Sequence, residues 1–146
     1  MSFCWKKIFL SLGLFFWAFS AQAAFSPLSV SLVPPLQFPP SDFSVTGVRV
    51  SALWGHHRDI YGIDVGALGN ITDQSFVGLG VAGGFNWTKG NTTILGLQLA
   101  GVTNVNTNKT WVYGVQAAGG MNYQTASSAV VGVQVALLGN HAPHTD

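Results

Sequence analysis

Gly132-Val133-Gln134-Val135-Ala136-Leu137-Leu138-Gly139-Asn140 decides the fold, because its pattern has already occurred five times in the chain. Gly47-Val48-Arg49-Val50-Ser51, Gly62-Ile63-Asp64-Val65-Gly66, Gly78-Leu79-Gly80-Val81-Ala82, Gly96-Leu97-Gln98-Leu99-Ala100 and Gly114-Val115-Gln116-Ala117-Ala118 precede it. Each is a glycine, an aliphatic, a variable residue, an aliphatic and a small residue. Eight residues after the glycine stand Asn70, Asn86, Asn104, Asn122 and Asn140, with Gly55 in the first copy. The glycines are 15, 16, 18, 18 and 18 residues apart. Self-similarity at so short a period means a stacked array of small units.

Within each unit the strand signal starts before the glycine, at Val45, Ile60, Phe76, Ile94, Val112 and Val130. Glycine in every copy, surrounded by β-branched and aromatic residues, disfavours helix and favours extended chain. Side chains alternate faces along a strand. One face then carries Leu95, Leu97 and Leu99, or Val131, Val133 and Val135, and is expected to be the core face. The other carries Gln98, Gln116 and Gln134 in one slot of three successive copies.

The fold class is therefore all-β, and a parallel β-solenoid of 15–18-residue coils explains the pattern best. Equivalent residues then lie about 4.8 Å apart. Leu and Val stack inside, while Gln over Gln and Asn over Asn form amide ladders of the kind seen in cross-β stacks. Asparagine is also suited to a left-handed tight corner. The alternative is an antiparallel meander closed into an outer-membrane β-barrel, with Trp54, Phe85, Trp87, Trp111, Tyr113 and Tyr123 as its aromatic girdle. A meander reverses alternate strands and gives no shared reason for the repeated Gln and Asn. Six strands are also fewer than the eight of the smallest bacterial barrels.

The array has a preface. Lys6 and Lys7, the apolar run Ile8 to Phe19 and the small residues Ala21-Gln22-Ala23 form the three parts of a secretory signal peptide over residues 1–23. Residues 24–42 are a proline-rich opening segment. It is expected to be an extended arm or a cover for the end of the array, with Phe25, Leu28, Val30, Leu32 and Leu36 apolar enough to pack over the first repeat. Residues 43–140 are the six-unit array, and 141–146 a short tail. Cleavage after Ala23 leaves four basic and five acidic residues, a net charge of −1 with histidine neutral. That excludes a basic nucleic-acid surface. The single cysteine, Cys4, lies in the leader, so the rest of the chain has neither disulfide nor thiol chemistry.

The unit Gly-Val-Gln-Val-Ala-Leu-Leu-Gly-Asn resembles the Gly-Leu-Gln-x-Gly/Ala-x-x-Asn repeats of bacterial surface-repeat proteins. The opening Ser31-Leu32-Val33-Pro34-Pro35-Leu36 and the passage Gly47 to Asn70 are similar to the start of such arrays. The resemblance implies export and a place at or near the cell surface; it assigns no catalytic residues. Such arrays usually end in a closing segment, whereas here the tail His141 to Asp146 follows the last unit. A shortened array is the expectation, either degenerate or completed by a partner, with an uncapped C-terminal edge through which self-association is open to it.

Candidate chemistry is sparse. His56-His57-Arg58-Asp59 with Asp64 is the one polar cluster, a metal or anion site if the imidazoles converge. Neighbouring side chains on an extended strand point apart, so an exposed connection is the expectation. His141 and His144 are a short His-rich tract in the tail. Asp64 occupies the slot that later holds glutamine and is expected to end the amide ladder or bond to it. Asn70, Asn86, Asn91 and Asn108 each begin an Asn-x-Thr triplet. Trp87, Trp111, Tyr113 and Tyr123 could line a groove that stacks on sugar rings. The sequence shows no nucleophile elbow, paired glutamates or phosphate loop, so no catalytic, cofactor-binding or metal residues are assigned. The expectation is an exported, non-enzymatic β-repeat protein of the cell surface, outer membrane or periplasm. It would act by display or by binding a protein, a glycan or a membrane surface. An outer-membrane barrel and a secreted glycan-binding module are the alternatives.

Overall fold

The computed structural model describes residues 24–125 and 128–142. The leader and His144 lie outside the described residues. The strands are β1 Phe25–Val33, β2 Leu36–Phe38, β3 Ser44–Ser51, β4 Trp54–Gly66, β5 Gly69–Ala82, β6 Phe85–Thr88, β7 Thr92–Ala100, β8 Thr103–Asn106, β9 Thr110–Ala118, β10 Met121–Gln124, β11 Ala129–Ala136 and β12 Gly139–His141. All belong to one hydrogen-bonded system, and every pairing except β1 with β2 is parallel. The chain is a parallel β-solenoid. The meander and the barrel are excluded, because neighbouring rungs run the same way.

Each coil has a long strand in a broad sheet and a short strand in a narrow sheet. The broad sheet stacks β1, β3, the C-terminal part of β4, that of β5, then β7, β9 and β11. The narrow sheet stacks the N-terminal parts of β4 and β5, then β6, β8, β10 and β12. A tight turn such as Gly101–Val102 joins broad to narrow; a looser loop such as Thr107–Lys109 leads to the next coil. The register is that of the sequence repeat: Gly96 lies opposite Gly78 and Gly114, Gln116 opposite Gln98 and Gln134, Asn104 opposite Asn86 and Asn122.

The glycine column explains why the first residue of each unit does not vary. Gly78, Gly96 and Gly114 have φ of 137°, 135° and 143°, which L side chains rarely adopt. A Cβ at each would also run into the carbonyl oxygen of the glycine one coil below.

The inside of the solenoid reverses the expected assignment of faces. Leu95 is 51% exposed, and Val131, Val133 and Val135 are exposed with it, whereas Gln116 is 0% exposed. The Gly-Gln-Ala face points inward and the Leu/Val face outward. The interior holds one large apolar column, Val45, Ile60, Phe76, Ile94 and Val112, with Val130 packed against its end. The rest of the interior is small or polar. The physical reason is thickness: glycine and alanine on one sheet let the other sheet's asparagines approach closely, leaving no space for a column of leucines.

The opening segment also departs from expectation. β1 is itself a rung, parallel to β3, and β2 turns back antiparallel along its outer edge. Phe25, Leu28, Val30, Leu32 and Leu36 are exposed instead of packing over the first repeat. The covering is made by Gln37, whose amide bonds the His56 backbone as donor to its carbonyl, 2.7 Å, and acceptor from its N–H, 3.3 Å.

Candidate functional site

Two amide ladders run through the interior. Each asparagine Nδ2 donates to the Oδ1 one coil above: Asn70 to Asn86 at 3.1 Å, Asn86 to Asn104 at 2.9 Å, Asn104 to Asn122 at 2.8 Å and Asn122 to Asn140 at 2.6 Å. The same nitrogens donate to backbone carbonyls of the broad sheet, as Asn104 does to Ala117 at 3.0 Å. The glutamine ladder runs in the opposite sense: Gln134 donates down to Gln116 at 2.8 Å and Gln116 to Gln98 at 2.7 Å. Asn86, Asn104, Asn122 and Gln116 have partners on both sides, as buried polar groups require, whereas Asn70 Oδ1, at the foot of its ladder, has none. The ladder asparagines sit within strands rather than at left-handed corners; among the described non-glycine residues only Asn108, in a loop, has positive φ, at 70°.

Below the glutamines the slot changes chemistry. Asp64 does not join the amide ladder. It takes two hydrogen bonds from Arg49, Nε at 2.6 Å and Nη2 at 2.5 Å, with both side chains 0% exposed. Arg49 Nη1 reaches on to the Ile71 carbonyl at 3.2 Å. Burial pushes the Asp64 carboxyl above the usual carboxylate range, and Arg49 pulls it back. Gly80 separates this pair from Gln98, and the Phe76 ring fills the room its missing side chain leaves. Gly55 replaces asparagine in the first coil because a Cβ there would press on Ser51 Oγ and the Arg49 side chain.

The histidine cluster does not converge. His56 points outward to Asp73, with Nε2 2.9 Å from each carboxylate oxygen. His57 points inward and meets Ser29 Oγ at 2.7 Å. Its Nδ1 has no hydrogen-bond partner. Burial and then the nearby Arg49 charge lower its pKa to about 4. Asp59 accepts from Ser44 Oγ at 2.9 Å, the Ser75 N–H at 3.1 Å and Arg58 Nε at 3.0 Å. No three of these groups come together as a metal-binding set among the described residues. Ser29 and His57 make a hydroxyl–imidazole contact, but at 1% and 0% exposure no substrate reaches it.

The aromatic groove divides. Trp87 and Tyr123 lie on the outer face of the narrow sheet, Trp111 and Tyr113 on that of the broad sheet. His141 stacks on Tyr123 with ring centroids 5.1 Å apart. A shallow apolar depression lies among Phe85, Trp87, Thr103 and Val105. Of the four Asn-x-Thr asparagines, Asn70 and Asn86 are buried in the ladder, where no glycan fits; Asn91 and Asn108 are exposed.

What the sequence reading missed is the outer surface. The broad sheet presents columns such as Val48, Ile63, Leu97, Val115 and Val133 outward, all without charge. One signal pointed to this: the inward phase repeats the same residues, Gly and Gln, while the outward phase varies freely among aliphatics and aromatics. The chain matches no protein-family model, no curated protein and no solved structure.

Proposed function

We propose that this chain is an exported, non-enzymatic β-repeat protein that works at a bacterial surface by display or binding, as its resemblance to surface-repeat arrays suggests. One observation carries the reading. The solenoid spends its polar side chains on its own interior and turns uncharged aliphatic columns outward. Large exposed apolar surfaces of this kind mark interaction sites. The signal-peptide pattern of residues 1–23 supports export. Association through the edge of β11 and β12, beside which no further strand lies among the described residues, belongs to the same reading.

The test is expression of the full chain in a Gram-negative host, followed by cell fractionation and intact-mass analysis. The expected result is an envelope-associated chain beginning at Ala24. A chain that keeps residues 1–23 and stays in the cytosol overturns the proposal. A second reading, a glycan platform, draws on the depression beside Phe85 and Trp87. Glycan-array binding that is lost in Trp87→Ala supports it; an array without a hit removes it.

A further inference from the structure

We propose that the tight-turn edge of the solenoid inserts into the acyl region of one membrane leaflet while the loop edge stays in water. This rests on the binding role proposed above and names the partner: a lipid surface.

The first observation is where the charges are. Among the described residues the array's outward charges, Arg58, Asp73, Lys89 and Lys109, all lie where the narrow sheet hands over to the next coil, and the buried Asp59 is bonded to Arg58 at the same edge. Arg49 and Asp64 are sealed inside, and Asp42 precedes the array. The broad face, the tight turns and the adjoining half of the narrow face carry no charge. Leu137 and Leu138, at the last tight turn, are 85% and 81% exposed.

The second observation is the backbone of that edge. Lipid tolerates a turn only if its peptide groups are satisfied within the protein. The N–H groups of the tight turns meet this demand from coil to coil, while the Gly83 and Gly101 carbonyls abut the glycine one coil above without a hydrogen bond. Gly84 N–H donates to Leu68 O at 2.8 Å, Val102 to Gly84 at 2.8 Å, Gly120 to Val102 at 2.7 Å and Leu138 to Gly120 at 2.9 Å. The Thr103 hydroxyl, beside the turn, is bonded to Met121 O at 2.8 Å.

The third is the boundary. Lys89 Nζ sits 4.5 Å from the Trp87 ring centre and Lys109 Nζ 4.9 Å from that of Trp111, one pair on each sheet. Tryptophan beside lysine is the chemistry of a headgroup interface. On the broad sheet, Tyr61 stands five residues before the end of its strand at Gly66. That is about 16 Å of strand, close to the half-thickness of a ~30 Å hydrocarbon core.

Shape selects lipid over a second copy. The apolar surface wraps around a convex edge from one sheet to the other. A flat sheet of a second copy covers one side only, whereas a fluid leaflet covers both.

The experiment is flotation of the purified full chain with phosphatidylcholine vesicles, with and without phosphatidylglycerol. Co-flotation is expected with both, and it persists at high salt because the inserted edge has no charge. Leu68→Glu with Val102→Glu alters two exposed turn positions; it leaves circular dichroism and melting unchanged and lowers vesicle partitioning at least tenfold. A polarity-sensitive dye on Val102→Cys (in a Cys4→Ser chain) shifts blue on vesicles, and the same dye on Asn91→Cys does not. Absence of flotation by the folded chain, flotation indifferent to the double substitution, or equal dye shifts at both positions overturns the proposal. So does a dimer, seen by light scattering, that ignores vesicles. A chain that is exported and processed but does not float sinks this inference alone.

Discussion

The lower half of the solenoid, from β1 to the broad part of β5, and the upper half, from β7 to β12, fill the same interior slot with opposite chemistry. Below, the column reads Ser29, Arg49, Asp64 and Gly80; above, Gln98, Gln116 and Gln134. An ion pair saturates itself. Arg49 and Asp64 answer each other, and the next rung needs a gap, supplied by Gly80 and Phe76. An amide is donor and acceptor at once, so each glutamine leaves a group for the next, and the motif can repeat without limit. The lower half is thus a closed end, backed by β2 and Gln37; the upper half is an extensible stack. The difference shows in loop length too. In β4 and β5 the narrow strand runs into the broad one through a single strand, while the upper coils insert separate loops carrying Lys89 and Lys109.

The sharpest test of what the halves share is the glycine column. Gly62→Ala and Gly114→Ala each place a Cβ on the carbonyl of the glycine below, at a φ that alanine resists. Both are expected to destabilise by about 4 kcal/mol or more, and equally, as read by urea melts. A tolerant lower half would break the common frame. Next comes the ion pair. Arg49→Met strands a buried carboxylate and is expected to destabilise by about 3–5 kcal/mol; adding Asp64→Leu recovers most of that loss. If the double variant is no better than the single one, the pair is not a closed unit.

The third test is pH, and only the lower half should respond. The buried His57 has a pKa of about 4 against an ordinary 6.5. A depressed folded-state pKa means that stability is fully present above about 6.5 and is lost as pH falls toward 4. The loss between pH 7 and pH 4 comes to about 3 kcal/mol. His57→Gln flattens that limb in denaturant midpoints; an unchanged limb assigns the acid sensitivity elsewhere.

Removing a ladder rung in the upper half comes next. Asn104→Ala removes two amide bonds and the bond to the Ala117 carbonyl, a loss of about 2 kcal/mol. Gln134→Leu, at the half-buried end of its ladder, loses about 1 kcal/mol. If the terminal substitution is as damaging as the central one, the ladder is more cooperative than pairwise bonds allow.

Much of this was readable before any coordinates. The spacing of Gly96, Gly114 and Gly132, with Gln and Asn at constant offsets, requires stacked parallel coils, because only stacking gives those residues one shared partner. The divergence of His56 and His57 also follows from strand alternation alone. The Arg49–Asp64 pair was out of reach: the residues are 15 apart, in a slot whose later members suggested amides. So was the division of Trp87 from Trp111, which depends on where each coil turns.

Sequence by itself determined the period, the direction of the rungs and the residues that lie over one another, since a repeat states its own register. Only the tertiary structure decided which phase of each strand is inside. Alternation creates two faces but does not label them, and hydrophobicity mislabels them here. The label comes from the width of the gap between two sheets, a gap narrow enough for glycine, alanine and laddered amides. The aliphatic columns are left to face outward, toward whatever medium receives them.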